Sequence, residues 1–109
     1  MPCLLVLSNF PDKETAKTAA TALVEEQLAA CVNLIPEVTS IYKWKGTVEC
    51  ANEITALIKT TEATFPALQQ RLLALHPYEV PEIIAVPVEA GLESYLHWVE
   101  SGASAPSEA

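Results

Sequence analysis

The chain has 109 residues, of which 50% are hydrophobic and 18% are charged, and its 14 acidic and 6 basic residues give a formal net charge of -8. This length fits one domain with a core of its own, and the composition is that of a globular protein. Because nucleic acids and anionic membranes attract basic surfaces, the acidic excess argues against both as partners.

The N-terminus carries no recognisable targeting signal. The stretch Met-Pro-Cys-Leu-Leu-Val-Leu-Ser-Asn has no basic region, and its apolar run is too short for a signal peptide or a membrane span. We therefore expect a cytoplasmic protein.

The three cysteines, Cys3, Cys31 and Cys50, are widely spaced and form no CxxC pair or Cys/His ladder. A disulfide framework and a structural zinc site are therefore not expected. Each cysteine lies in an apolar stretch, which predicts three buried thiols.

The first half of the chain predicts a strand, a helix and a long strand. Residues 3–7 are continuously apolar, as in a buried strand. Asp12 is a suitable N-cap for a helix from residue 13 to about residue 30, whose apolar face is rich in alanine. Residues 32–44 then alternate as a strand, in which Pro36 marks an edge position or a bulge because proline cannot donate to the ladder.

The second half predicts a returning strand, two helices and a last strand. After a turn at Lys45-Gly46, residues 47–60 alternate as a second long strand. Apolar residues then recur at helical spacing from residue 65 to 75, with Thr61 or Thr64 as the cap. The remaining predicted elements are a short apolar strand at residues 83–86, a short helix at residues 92–99 and a disordered tail at residues 102–109.

This order of elements predicts an α+β, ferredoxin-like fold for a single domain at residues 1–101. Strand-helix-strand-strand-helix-strand, with a helix appended, is the split βαβ pattern, in which both long helices cover one face of the sheet. The strand at residues 32–44 would span roughly 43 Å at about 3.3 Å per residue. A domain of this size has a diameter of only about 34 Å. Either the strand bends at Pro36 or the hairpin tip overhangs the domain, and an overhanging apolar tip predicts self-association.

The segment at residues 76–88, His-Pro-Tyr-Glu-Val-Pro-Glu-Ile-Ile-Ala-Val-Pro-Val, is stiffened by its prolines. Pro77 disfavours helix in the residue before it, so the preceding helix should end near His76. Two readings remain open: a rigid helix-to-strand loop, or a ligand or metal site displayed by that loop. The candidate side chains are His76, Tyr78, Glu79 and Glu82.

Four strings of the chain, in this order, resemble the CutA family of divalent-cation tolerance proteins. The resemblance extends from about Leu4 to Val99. The strings are Cys31-Val32-Asn33-Leu34-Ile35-Pro36 with Ser40-Ile41-Tyr42-Lys43-Trp44-Lys45-Gly46, then Ile58-Lys59-Thr60-Thr61, then His76-Pro77-Tyr78-Glu79-Val80-Pro81-Glu82-Ile83-Ile84, and Tyr95-Leu96-x-Trp98.

The resemblance implies a tight homotrimer of ferredoxin-like protomers, with the long hairpins pairing between subunits. It also implies a link to tolerance of copper and other divalent metals, with Cu(II) binding, and a cytoplasmic location in bacteria. His76 is then the candidate copper ligand. Ser8 stands where some relatives carry a thiol, and Leu75 stands where some carry a second histidine, so the site is expected to be weak because tight Cu(II) sites collect several nitrogen ligands.

Two other classes of function remain as alternatives. Trimers of this kind resemble nitrogen-regulatory PII proteins, which would make the chain a signalling module that binds small molecules in clefts between subunits. An enzyme is not expected, because the sequence has no Gly-rich phosphate loop, HExxH motif or nucleophile elbow.

The remaining polar and aromatic candidates have ordinary structural readings. Glu49 and Glu53 are expected on a solvated strand face, although with Glu79 they would make an acidic cation site. His97 is expected on the surface or at an interface. Four aromatic residues are expected to pack between subunits rather than to line a pocket: Tyr42, Trp44, Tyr78 and Trp98.

Overall fold

A computed structural model describes residues 2–105 as four antiparallel strands and three α-helices, with the strands in the order β2-β3-β1-β4. This confirms the predicted ferredoxin-like fold. The elements in chain order are β1 (Cys3–Phe10), α1 (Lys13–Glu25), β2 (Cys31–Trp44), β3 (Thr47–Thr61), α2 (Phe65–Leu75), β4 (Ile84–Pro87) and α3 (Glu93–Gly102).

Helix α1 begins as predicted and ends earlier than predicted. Asp12 caps it, since Oδ1 of Asp12 accepts a hydrogen bond from the backbone N–H of Thr15 at 2.8 Å. The predicted end near residue 30 was wrong, because Gln27 has a left-handed backbone with φ 60° that no helix continues through. Leu28 and Ala29 remain buried beyond this turn, which explains why their apolar character imitated another helical turn.

Helices α1 and α2 cover one face of the sheet, and the hydrophobic core lies between them and the strands. Alanines on α1 let the helix approach the sheet closely. The largest buried apolar side chains are Val6 and Phe10 of β1, Leu23 of α1, Ile58 of β3, and Leu68 and Leu72 of α2. Ser8 lies on the same face of β1, fully buried, and its hydroxyl has no hydrogen-bond partner among the described residues.

The β2-β3 hairpin both contains a bulge and overhangs the domain. The pairing register shifts between Ile35 and Val38, around Pro36 and around Glu37 with its φ of 57°. Beyond the bulge the strands continue to the turn at Lys45-Gly46, and residues 41–50 are all exposed. The protomer is therefore elongated, with extents of 44 × 31 × 23 Å.

The sheet face opposite α1 and α2 is covered by α3 at one end only. There the ammonium of Lys59 lies 5.6 Å from the centre of the Tyr95 ring. Large apolar side chains are exposed on the rest of this face, on the hairpin tip and beside β4. They are Ile35, Ile41, Tyr42, Trp44, Val48, Val80, Ile84 and Val86.

The end of α3 reaches into the region predicted as the tail. Gly102 belongs to the helix and packs so tightly that an added Cβ would lie 2.8 Å from the Cβ of Ala30. Ala103 is buried, and its carbonyl accepts a hydrogen bond from the hydroxyl of Thr64 at 2.7 Å. Residues 106–109 of the predicted tail lie outside the described residues.

The prediction of three buried thiols was wrong for Cys50. Cys3 is buried and Cys31 is partly buried, whereas Cys50 is exposed on the hairpin. Alternation placed Cys50 on one face of a strand, but nothing among residues 2–105 covers that face at Cys50. Among residues 2–105, no helix has the length and apolar character needed to cross a membrane.

Candidate functional site

His76 terminates α2 and lies almost entirely inside the protein. Its backbone N–H donates to the carbonyl of Leu72 at 2.9 Å, and Pro77 prevents a further helical turn. The imidazole is only 7% exposed and stacks on the ring of Phe10, with 4.3 Å between the ring centres. The predicted end of the helix near this residue is confirmed.

Both ring nitrogens of His76 are hydrogen-bonded to the backbone. Nε2 lies 2.7 Å from the carbonyl oxygen of Asn9, and Nδ1 lies 3.2 Å from the backbone nitrogen of Tyr78. A carbonyl only accepts and an N–H only donates, so these partners require the neutral tautomer with its proton on Nε2. Burial also favours the neutral ring and lowers the pKa of His76, although the Asn9 carbonyl and Glu53 oppose the shift.

We call residues 76–83, between α2 and β4, the connector. A buried carboxylate on β3 contacts it. Glu53 is only 8% exposed, and its Oε2 accepts a hydrogen bond from the hydroxyl of Tyr78 at 2.7 Å. The side-chain amide of Asn9 donates to Glu53 at 3.4 Å and to Glu82 at 3.5 Å. The hydroxyl of Thr55 donates to the Asn9 side-chain oxygen at 2.7 Å, which fixes the orientation of the amide.

This network raises the pKa of Tyr78 well above its ordinary value. Burial makes the largest contribution, followed by the hydrogen bond to Glu53 and the negative charge of that carboxylate. Tyr78 therefore remains a neutral donor across the physiological range. The connector is tied to β1 through Asn9 and to β3 through Glu53.

A cleft of about 780 Å³ lies between the connector and the hairpin. The described residues in its walls carry three carboxylates and three aromatic rings, and none of them is Lys, Arg or His. The chemically distinctive residues in the lining are Tyr42, Trp44, Glu53, Tyr78, Glu79 and Glu82. Such a surface attracts cations and repels anions.

The residues fit a weak metal site better than a tight one. Within residues 2–105, no group of three or more His, Cys, Asp or Glu side chains is arranged to hold a metal ion. His76 is the only histidine near the cleft, and to ligate a metal through Nδ1 it must first release the N–H of Tyr78. Copper binding by His76 therefore stays a prediction. It requires that the hydrogen bond between Nδ1 of His76 and the Tyr78 N–H break first.

The structure brings some of the predicted candidates together and separates others. Tyr42, Trp44 and Tyr78 share the cleft, whereas Trp98 stacks on Tyr95 in α3. Glu49 is exposed as predicted. The expectation of a solvated Glu53 was wrong, because the connector folds back over it and Tyr78 bonds its carboxylate.

Sequence reasoning missed Asn9. The residue gave no signal beyond its place after an apolar run, yet its backbone carbonyl orients His76 and its side chain joins two carboxylates. Asn9 lies 67 residues from His76 and 73 residues from Glu82 in the sequence, so no local pattern indicates these contacts.

Residues 4–102 match the CutA1 divalent ion tolerance protein family. The Divalent-cation tolerance protein CutA of Thermus thermophilus is 53% identical over 95 residues, which cover 87% of this chain and 92% of that protein. Protein CutA of Mus musculus is 54% identical over 89 residues, or 82% of this chain, and the chain spans only 50% of that longer protein.

Solved structures agree with the fold. The crystal structure of CutA from Xylella fastidiosa aligns with a TM-score of 0.91 at 43% identity, covering 94% of this chain and 98% of that one.

Proposed function

The chain belongs to the CutA1 divalent ion tolerance protein family, and we propose from this premise that it acts in tolerance of divalent cations as a cytoplasmic homotrimer that binds copper weakly. The observation that carries the proposal is the acidic cleft beside His76, whose lining holds Glu53, Glu79 and Glu82 without a basic side chain. A surface of this charge concentrates cations locally.

The homotrimer is supported by the surface that a single protomer leaves exposed. The apolar side chains on the open sheet face, the hairpin tip and the connector are too many for an isolated protomer. β2 and β4 are also the edge strands of the sheet, with unpaired backbone groups. Further copies of the same chain, with hairpins pairing between them, would cover both features. Sedimentation equilibrium at micromolar concentration tests this, since a mass of one protomer contradicts it.

Weak copper binding is supported by the chemistry of the donors. His76 would supply one nitrogen ligand, and the carboxylates of the adjoining cleft would supply oxygen. Because tight Cu(II) sites collect several nitrogens, we expect a dissociation constant no lower than about micromolar, or roughly -8 kcal/mol. Copper supplies Lewis acidity and redox chemistry when bound, and the chain's own contribution is to hold the cation near the cleft.

The proposed role is binding rather than catalysis. The nitrogens of His76 bond backbone groups of Asn9 and Tyr78, so the ring activates no hydroxyl or thiol nucleophile. The hydroxyl of Tyr78 is held as a neutral donor to Glu53.

A cytoplasmic location is supported by the cysteines. Cys3, Cys31 and Cys50 are free, and Cys50 is exposed. Exposed free thiols persist in reducing compartments and are oxidised outside them. Fractionation of cells that express the tagged chain tests the assignment, and recovery in a membrane or extracellular fraction contradicts it.

The test of function is complementation. A host that lacks its own gene of this family would express the parent chain, a His76→Gln variant or a His97→Ala variant. The parent and His97→Ala should raise the Cu(II) concentration at which growth is halved, and His76→Gln should raise it less. Unchanged copper tolerance with full expression of the parent contradicts the proposal.

The PII-like alternative is favoured by one observation, the size of the cleft. A volume of about 780 Å³ with aromatic walls is ample for a small molecule. Its carboxylates disfavour nucleotides, so a signalling ligand here would be a cation. Calorimetric titration with ATP tests a nucleotide role, and saturable ATP binding would favour the alternative over the cation reading.

A further inference from the structure

The cleft between the hairpin and the connector contains a buried negative charge that no cation balances. Glu53 lines the cleft, is only 8% exposed, and accepts hydrogen bonds from Tyr78 and Asn9, both of them neutral donors. Within residues 2–105, no ion pair joins Glu53 to a Lys, Arg or His side chain. Hydrogen bonds from neutral groups orient a carboxylate but leave its charge, and buried carboxylates are ordinarily paired. Glu53 therefore points to a cationic occupant of the cleft.

Two exposed carboxylates, Glu79 and Glu82, line the same cleft. Neither makes an ion pair in the described part of the chain. The three carboxylates do not converge as metal ligands do, because no group of three or more His, Cys, Asp or Glu side chains in residues 2–105 is arranged to hold a metal ion. The cleft thus has the charge to attract a cation and lacks the convergent ligands that a small one needs.

The other walls of the cleft suit an organic cation. Tyr42 and Trp44 stand two residues apart on β2 and both line the cleft, whereas Lys43 between them is not in the lining. The apolar side chains of Ile41 and Val80 complete the two sides. Aromatic faces attract ammonium ions, and apolar side chains pack against the methylene groups that such ions carry. A hydrated metal ion gains nothing from the apolar part of this lining.

We propose that the cleft binds a linear polyamine, in which a methylene chain joins two or more ammonium groups. One ammonium group would bind the buried carboxylate of Glu53, and another would bind at the rim beside Glu79 and Glu82. The methylene chain between them would lie against the rings of Tyr42 and Trp44. The cleft volume of about 780 Å³ is within the usual range of small-molecule sites.

This site goes beyond the proposed copper role, because His76 is not among the residues that line the cleft. The separation of the carboxylates also sets a selectivity. An amine with one ammonium group pairs with one end of the cleft only, and a divalent metal ion has no set of converging ligands there. We therefore expect affinity to depend on several ammonium groups held along one flexible chain.

Calorimetric titration of the assembled protein with spermidine tests the proposal. The protein is stripped of metal with a chelator and dialysed into chelator-free buffer of low salt at pH 7. Butylamine, with one ammonium group, and Mg²⁺ are the comparison ligands. The variants are Glu79→Gln/Glu82→Gln and Trp44→Leu. Glu25→Gln/Glu89→Gln is the matched control, since both glutamates are exposed, lie outside the cleft lining and change the net charge equally.

We expect the parent to bind spermidine saturably and at least about tenfold more tightly than butylamine or Mg²⁺. Glu79→Gln/Glu82→Gln should weaken spermidine binding about tenfold, and Trp44→Leu should weaken it about threefold. The control should stay within about twofold of the parent, and added salt should weaken binding because it screens the charges. Circular dichroism and native mass spectrometry confirm that each variant is folded and assembled like the parent.

Three outcomes overturn the proposal. Without saturable spermidine binding, the cleft is closed or filled in the assembled protein. If Mg²⁺ binds as tightly as spermidine, or if the two Glu→Gln double variants bind spermidine equally, the attraction is that of the overall charge and not of this cleft. Copper titration of the same metal-free protein separates this site from the proposed function. Failure with spermidine alone leaves the copper role in place, and failure with Cu(II) alone removes that role and leaves this site.

Discussion

The hydrogen bond from Tyr78 to Glu53 offers the sharpest test of how the connector is held. Replacing Tyr78 with Phe removes the donor at 2.7 Å and leaves the buried carboxylate of Glu53 with the longer bond from Asn9 at 3.4 Å. A hydrogen bond to a charged group contributes about 1.5–3 kcal/mol to stability. Because Tyr78 is only partly buried, we expect a loss near the lower end, about 1.5 kcal/mol of the free energy of unfolding per protomer.

Denaturant unfolding of the parent, Tyr78→Phe, Glu53→Gln and the double variant, at one protein concentration, measures this loss and the coupling between the two residues. The coupling should exceed about 0.5 kcal/mol. Tyr95→Phe is the matched control, since its ring stacks on Trp98 and the change keeps the ring. The reasoning is refuted if Tyr78→Phe unfolds like Tyr95→Phe or if the coupling is zero.

The same contact predicts alkaline behaviour. The pKa of Tyr78 is raised above its usual value of 10.0, so in the folded protein it keeps its proton after an unfolded tyrosine has lost it. Its contribution to stability is therefore complete below about pH 10 and is lost as pH rises through the folded pKa. Phenolate absorbance in the native parent should show a tyrosine that titrates last and is missing in Tyr78→Phe.

Three further predictions concern the core, the histidine and the thiols. Ser8→Ala should raise the free energy of unfolding by about 1 kcal/mol, because it removes a buried hydroxyl without a partner among the described residues; a loss in denaturant unfolding would show that the hydroxyl is satisfied. The pKa of His76 is lowered by burial from 6.5, so the contribution of its neutral ring to stability is complete above about pH 6.5 and is lost as pH falls below that value. The free energy of unfolding should therefore decrease with falling pH more steeply in His97→Ala, which keeps His76, than in His76→Gln. Equal slopes in the two variants would contradict this. A thiol reagent should label Cys50 before Cys3, whose pKa is raised by burial, and mass spectrometry that found Cys3 labelled first would contradict it.

Local rules were enough to predict the order of the elements. Alternation predicted the hairpin, and the missing N–H of Pro36 predicted an irregularity that the structure places between Ile35 and Val38. Pro77 predicted that α2 ends near His76, and the helix ends at Leu75 with His76 as its C-cap. Each of these signals depends on residues that are neighbours in the chain.

The site itself depends on contacts that local patterns do not encode. Glu53 had the pattern of a solvated strand residue, and only the return of Tyr78 across 25 residues of sequence buries it. Cys50 had the pattern of a buried residue, but alternation identifies a face and not what covers it. His76 was predicted as a ligand from its residue type, whereas its hydrogen bonds to Asn9 and Tyr78 appear only in three dimensions.

Titration of the purified protein with Cu(II) tests the proposed function most directly. The chain contains two histidines, so His97→Ala is the natural control for His76, and His76→Gln keeps an amide that can donate to the Asn9 carbonyl. We expect the parent and His97→Ala to bind Cu(II) with a dissociation constant of about micromolar or weaker, and to lose binding as pH falls through the imidazole range. His76→Gln, still folded and assembled, should lose most of the binding. Equal Cu(II) binding by His76→Gln and the parent would contradict the account and leave His76 as a structural element of the connector.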